Sequence, residues 1–407
     1  MRIPFPAGLS GPVVLFMSLA AGLGTSAVYP LQPAIAEVAE SLGAPISVVG
    51  IALACGSVGY MAGLALLVPL VDRFAPHRVL AAQFAVLAGA LAAGAAVTTV
   101  VSLALVVGVI GACSSVGAGV SSVAGRLALP GRRAVVLGMV TAGISAGILA
   151  GRIVGGWLVD ELGWRVTQLV FAAACGLVAV CCLVVMPMER GTAERGYLAT
   201  VRSLPGLLVR YAALRRAALR GALWFFAFCA VWAGIAVALS APPFSYSAER
   251  IGLYALAGLS GMLATRVAGQ WTDRVGARRV ILLGLVLAGV ATAVVGFGLT
   301  DTAVTLICLA VFDAGLFAAQ VANQSTVLAI DSAAPARFNS VYMLVYFVGG
   351  SLGTAFGAAA VEWFGWLFTT MVAVTAIALA AALTGTEMTG RRSYAESVSE
   401  AIERKGR

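Results

Sequence analysis

Charge is what this sequence has least of. Only 11% of its 407 residues are Asp, Glu, Lys or Arg, whereas an ordinary globular domain carries about 25%. Lysine occurs once, at Lys405, which excludes a Walker-type G-K-[ST] loop and a retinal-type Schiff base within the apolar body. Histidine also occurs once, at His77, and the seven cysteines (Cys55, Cys113, Cys175, Cys181, Cys182, Cys229, Cys308) fall inside apolar segments without metal-site spacing. They read as small buried fillers rather than a disulfide framework. No nucleophile, base and orienting group cluster at readable spacing, so neither an enzyme nor a cofactor is expected.

Apolar length is what the sequence has in abundance, with 61% hydrophobic residues and a mean hydropathy of +1.01. A hydrocarbon core of about 30 Å needs about 20 apolar residues per helix. Apolar runs between charged or Pro/Gly punctuation predict spans near 11–35, 47–71, 79–98, 101–125, 134–159 and 166–188, then 221–241, 250–271, 280–299, 303–330, 338–361 and 367–386. The expected fold is an all-α membrane protein with twelve transmembrane helices in two pseudo-symmetric six-helix halves. The halves cover 1–188 and 221–386, joined by a basic linker at 189–220 and followed by a tail at 387–407. The N-terminal stretch from Met1 to Ser10 runs into a segment too long for a cleavable signal peptide, so span 1 is expected to stay.

The +9 net charge becomes a topology map. Of 26 basic residues, 22 fall on the side of the termini, Arg165 and Arg250 on the other, and Arg152 and Arg266 within spans. The positive-inside rule makes that side the cytoplasm of a bacterial-type inner membrane, and no nucleic-acid partner is implied. The linker's Arg190, Arg195, Arg202, Arg210, Arg215, Arg216 and Arg220, alternating with Leu207, Leu208, Tyr211 and Leu214, read as an interfacial helix on anionic lipid or a solvated basic linker. Arg266, seven residues from Asp273, can snorkel to the surface. The pair Asp72-Arg73 recurs 201 residues later as Asp273-Arg274, and Gly163-Trp164 recurs 202 later as Gly365-Trp366, which indicates duplication. Duplicated halves around a midplane site suit alternating access.

The stretch Gly269-Gln-Trp-Thr-Asp273-Arg274-Val-Gly276-Ala-Arg278-Arg279 resembles the loop signature of the major facilitator superfamily, G-x-x-x-D-R-x-G-x-R-R. Its N-half copy is degraded, with Val68 and Ala75 at the glycine positions. Asp72, Arg73, Asp273 and Arg274, with Gly269 and Gly276, are candidates for a latch between conformations. A positive-inside anchor explains the arginines but not the paired Asp. Span 5 carries Gly143, Gly147, Gly151 and Gly155 every four residues, mirrored by Gly349, Gly353 and Gly357 in span 11, which predicts close helix packing. The segment Gly151-Arg152-Ile-Val-Gly155-Gly156 also resembles the superfamily's G-P-x-x-G-G antiporter motif, with Arg152 in place of proline.

Arg152 lies eight residues from Asp160, and Asp313 ten residues into span 10, depths of about 12 and 15 Å at helical rise. Charge at such depth is costly enough to imply a cavity or a partner. Asp313 reads either as a proton-coupling site or as a buried pair with Arg152. Asp313, Phe317, Gln320 and Gln324 form one helical stripe, with Asn323 beside it, as expected of a water path. Tyr29-Pro-Leu-Gln32-Pro33, Gly151-Arg152, Trp232 with Pro242-Pro243, and Asn323-Gln324 with Arg337-Phe-Asn339-Ser-Val-Tyr342 narrow the resemblance to the acriflavin-sensitivity (YnfM-like) exporters. The span-4 region Gly108-Val-Ile-Gly-Ala-Cys-Ser-Ser lacks the arginine that wider drug-exporter families link to proton coupling.

By the superfamily's pattern, spans 1, 4, 7 and 10 form a cavity. Its candidate residues are Tyr29, Gln32, Phe228, Trp232, Asp313, Gln320, Asn323, Gln324, Tyr342 and Tyr346, a set suited to amphipathic organic solutes. The resemblance implies a monomeric secondary transporter of small molecules, with protons as coupling ions and efflux of drugs or metabolites as the direction. Proton-coupled uptake and a non-transporting membrane sensor are the alternatives.

Overall fold

Long apolar segments satisfy their backbone polar groups in lipid only as helices or closed barrels, and the elements of the described residues are all helical. The structure, a computed structural model, describes residues 9–129, 132–187, 206–331 and 335–385; the side chains at 72, 134 and 335–337 are outside the description.

Span 1 is Gly11–Ser26, followed by a turn and the short helix Ile35–Ser41. Spans 2 and 3 are Ile46–Leu66 and Pro76–Ala95, with the short helix Leu70–Arg73 between them. Span 4 is Val100–Ser114 plus Val116–Leu127, and spans 5 and 6 are Arg133–Leu162 and Trp164–Val185. In the second half span 7 is Ala212–Ser240, and span 8 joins Ala248–Leu253 to Leu259–Val275 through the 3₁₀ turn Tyr254–Gly258. Spans 9 and 10 are Ala277–Gly298 and Thr302–Leu328. Spans 11 and 12 share Pro335–Gly385, which turns at Gly365 with φ 84°.

Among the described residues, 10 helices are long and apolar enough to cross a membrane. Counting the turned helix as two and adding the shorter span 1 gives twelve. Leu105, Val184 and Phe297 are 69%, 77% and 74% exposed, an outer surface that only a hydrocarbon solvent would cover.

The duplication is built into the backbone. Thr99 and Asp301, 202 residues apart, cap the first turns of spans 4 and 10 with side-chain oxygens, each cap worth about 1 kcal/mol. Gly163 and Gly365 reverse the chain between spans 5 and 6 and between 11 and 12, at φ 78° and 84°, a region costly for a residue with a Cβ. The glycine stripes repeat too. A Cβ added at Gly143, Gly147, Gly151 or Gly155 would overlap the backbone of Ser18, Gly22, Ser26 or Pro30 in and just beyond span 1. One added at Gly349, Gly353 or Gly357 would overlap Ala222, Phe226 or Ala230 of span 7. Spans 1 and 5, and spans 7 and 11, thus pack at backbone distance.

The helix of span 1 ends at Ser26, not near 35 as predicted, because the chain turns before the separate helix Ile35–Ser41, and the start of span 7 departs from prediction as well. Span 7 begins at Ala212, not near 221, so Arg215, Arg216 and Arg220 belong to that helix. Leu207, Leu208 and Tyr211 pack on a cluster that includes Leu214, Phe338 and Tyr342, and the Tyr211 and Phe338 rings meet edge-on at 4.9 Å. The remaining linker arginines Arg190, Arg195 and Arg202, the tail, and residues 1–8 lie outside the described residues.

Candidate transport site

The face carrying Arg73, Arg126, Arg274 and Arg278 is termed the basic face, and the face carrying Arg165 and Arg250 the opposite face. On the opposite face the halves meet through mirrored carboxylates. Asp160, near the end of span 5, accepts the Ala248 and Glu249 N–H groups at 3.0 and 2.9 Å, at the start of span 8. Glu362, 202 residues later and near the end of span 11, accepts the Ser47 N–H at the start of span 2. Each carboxylate satisfies free N–H groups at the positive end of a helix in the other half. Close packing seals the seam: a Cβ at Gly50 would overlap Ala358, and one at Gly156 would overlap Ala248.

Below this seam lies the charged centre. The missing side chain of Gly151 lets span 1 approach, with Tyr29 Cβ 3.0 Å from where a Gly151 Cβ would sit. The next residue, Arg152, therefore projects beside Tyr29 and Gln32. Its Nε donates to Gln32 Oε1 at 3.2 Å, and its guanidinium carbon lies 5.0 Å from the Tyr29 ring centre and 4.6 Å from that of Trp232. Trp232 Nε1 in turn donates to Asp313 Oδ1 at 3.1 Å. Asp313 Oδ2 faces span 8, 3.2 Å from where a Gly258 Cβ would sit at the end of the 3₁₀ turn. Arg152, Trp232 and Asp313 are 8%, 6% and 2% exposed. The two charges are thus joined through an indole rather than in direct contact. Cation–π contacts in desolvated sites are worth about 2 kcal/mol, and the indole hydrogen bond satisfies one carboxylate oxygen. Trp232 is a member of the second half while Arg152 is in the first, so this link crosses the interface between halves.

Two clefts flank the centre. One of about 260 Å³ is lined by Gln32, Pro33, Arg152, Trp232, Ile235 and Ile251, among others. The second, about 230 Å³, is bordered by Trp224, Phe225, Phe228, Phe317, Gln320 and Tyr346. Phe228 sits 6.5 Å from Trp232, ring to ring, between the two spaces.

The polar stripe of span 10 does not form one continuous path. Asn323 is fully buried and takes a hydrogen bond from Arg220 Nε at 2.6 Å, while its amide donates to the Ala217 carbonyl and the Tyr342 hydroxyl at 2.9 and 3.2 Å. Tyr342 donates to Gln320 at 2.6 Å, and Gln324 donates to Asn339 at 2.8 Å. Asn323 and Tyr342 belong to this enclosed network, away from the Asp313 contacts. Arg220, counted with the linker by sequence, is 2% exposed inside span 7. Its signal was the i, i+4 series Arg220, Trp224, Phe228 and Trp232. Sequence reasoning also missed Tyr60, whose ring lies 4.9 Å from Phe347 across the halves.

On the basic face Asp273 and Arg274 are exposed, and Arg73 lies 5.8 Å from the Phe74 ring. The Asp72 side chain is outside the description. Gly276, at φ 87°, begins span 9, whereas a Cβ at Gly269 would meet nothing within 4 Å. Arg278 donates to the carbonyls of Thr384 and Gly385 at 3.2 Å each, closing the end of span 12. Arg266 is exposed.

The sequence profile of the Major Facilitator Superfamily matches residues 14–266. The transporter YgaY of Escherichia coli O157:H7, itself uncharacterized, is 31% identical over 358 residues, 88% of this chain and 91% of that one. A probable transporter of Streptomyces coelicolor is 30% identical over 366 residues, covering 89% and 84%. Among solved structures, a bacterial homolog of the human lysosomal transporter Spinster has a TM-score of 0.76 at 15% identity, covering 92% of this chain and 97% of that one. The nucleoside transporter NupG has a TM-score of 0.77 at 13% identity, covering 92% and 99%. The family is one of transporters rather than enzymes, and this twelve-helix membrane chain belongs to the major facilitator superfamily.

Proposed function

We propose that the protein exports small organic solutes, drugs or metabolites, across a bacterial cytoplasmic membrane in exchange for protons, working as a monomer with both termini in the cytoplasm. The observation that carries this reading is the buried link Arg152–Trp232–Asp313 across the two halves. The indole N–H and the guanidinium beyond it favour the ionised form of this buried carboxylate, so loosening the link favours its protonation. Because the link runs from Asp313 through Trp232 to Arg152 in the other half, that change bears on how the halves sit together. The mirrored Asp160 and Glu362 contacts support a state closed on the opposite face, the outside in this reading. Asp72, Arg73, Asp273 and Arg274, with Gly269 and Gly276, then serve as the cytoplasmic latch of the alternate state. In the cycle, substrate loads from the cytoplasm or inner leaflet, the outer seam opens, and Asp313 takes up an external proton as substrate leaves.

Inverted membrane vesicles with an acidic lumen test direction and coupling together. Labelled 2-naphthoate and ethidium, probes of opposite charge, are added outside. Accumulation of either one that collapses with the pH gradient is expected. Accumulation of one that ignores the gradient would overturn the proton exchange, and accumulation that needs the reversed gradient would make the protein an importer.

A further inference from the structure

We propose that Arg152 is the anchor for an anionic group of the substrate, and that the cargo is an aromatic or otherwise apolar carboxylate rather than a cation. This rests on the transport reading and names its substrate class. A guanidinium carries five N–H donors in a planar fork that matches a carboxylate. In Arg152 only the Nε donor has a protein acceptor, Gln32 Oε1. The Nη1 and Nη2 donors meet none among the described residues, and Arg152 borders the 260 Å³ cleft although it is only 8% exposed. No acid lines that cleft: Gln32, Pro33, Trp232, Ile235, Ala236, Ile251 and Gly252 complete its wall. Asp313 does not supply the missing partner, because the indole of Trp232 intervenes and takes one of its oxygens. A buried cation with open donors, two aromatic faces and no direct counter-ion is a site for an anion.

The second cleft describes the rest of the molecule. Its wall is largely aromatic, with Phe225 stacked on Tyr346 at 3.9 Å and Phe317 edge-on to Phe228 at 5.8 Å. Gln320 is its one amide. Phe228 borders this second space, and its ring lies 6.5 Å from that of Trp232, which borders the first. A carboxylate in the first cleft with its ring reaching past Phe228 into the second uses both. Tyr29 and Trp232 hold the planar guanidinium in place, so the fork is ready before the substrate arrives.

Equilibrium binding to the purified full chain in lipid nanodiscs, without any gradient, tests this. Labelled 2-naphthoate is expected to bind saturably, and the uncharged 2-naphthamide and cationic 2-naphthylmethylamine to compete at least tenfold more weakly. Arg152→Gln is expected to weaken naphthoate binding at least tenfold. Amine or amide binding as tight as the acid, no saturable naphthoate binding, or a folded Arg152→Gln protein that binds like the wild type would overturn the anion site. The wild-type ligand series decides the matter even where that variant does not fold. Naphthoate that binds at Arg152 but is not moved by a pH gradient would refute proton exchange and leave the site standing. Gradient-driven flux of ethidium with no naphthoate binding would do the reverse.

Discussion

The two halves share a frame and differ at its charged positions. Where span 5 has Gly151 and Arg152, span 11 has Gly353 and Thr354, and the Thr354 hydroxyl bonds its own helix at Gly350. Where span 10 has Asp313, the matching position of span 4, counted from the shared cap register of Thr99 and Asp301, is Gly111. A Cβ at Gly111 would overlap the backbone of Gly56, so that position is given to packing. Packing glycines, helix caps, chain reversals and the opposite-face carboxylates are all repeated. Arg152 and Asp313 have no charged counterpart at the matching position of the other half, and the Trp232 indole links them across the interface. In the proposed cycle, duplication supplies the rocking frame and divergence supplies the chemistry.

Substitutions at the unrepeated charges and in the repeated frame are expected to differ in size of effect. The largest effect is expected at the unrepeated charges. Removing one member of a buried charge system leaves the other uncompensated, a loss of about 3–5 kcal/mol for a direct pair. Melting of purified Arg152→Gln, Asp313→Asn and the double variant is expected to show each single change as worse than the double. Additive losses would mean that the indole link does not couple them.

The repeated frame comes next. Gly147→Val and Gly349→Val are expected to lower stability alike, by about 1–3 kcal/mol or more from overpacking. Gly138→Ala, with nothing within 4 Å, is expected to be harmless. Unequal losses for the matched pair would deny the mirrored packing.

A smaller, conformational effect is expected on the opposite face. Asp160→Asn and Glu362→Gln each weaken a charged cap worth about 1 kcal/mol. Both should increase labelling of a cysteine placed at the buried Val49 by an impermeant maleimide in a cysteine-free background, and the double variant should increase it further. No change in labelling would mean that the caps do not hold the seam.

The smallest effect belongs to Glu37, in the short helix outside the spans and without a repeat in the second half. Partial burial raises its carboxyl above the ordinary value of 4.5, against the lowering effect of the Trp164 N–H. An acid with a raised folded value gives up protons more readily when unfolded. Its relative stability is therefore full below 4.5 and declines as pH rises above that value through the raised one. Glu37→Gln is expected to gain melting temperature over wild type between pH 4 and 7, and a constant gap would contradict the sign.

Span number, duplication and glycine stripes were readable because lipid and helix geometry impose periodic, near-universal demands on residue type. The depth of Arg152 and Asp313 was readable for the same reason. What joined them was not. Trp232 has a hydrogen-bonding edge and a π face, and which of them meets a charge depends on how spans 5, 7 and 10 pack. Arg220 was hidden because it sits at the end of an arginine-rich stretch, where composition says linker, although its i, i+4 spacing to Trp224 says buried helix. The enclosed Asn323–Tyr342–Gln320 network shows the same limit: a polar stripe fixes a helix face, not whether water or another side chain meets it.

In the proposed cycle Asp313 carries the driving proton while the rest of the frame moves substrate. Proteoliposomes containing Asp313→Asn test it most directly, with labelled 2-naphthoate followed in two regimes. Exchange against internal unlabelled naphthoate is expected to persist while accumulation driven by a pH gradient disappears. Gradient-driven accumulation equal to wild type in that variant would contradict it.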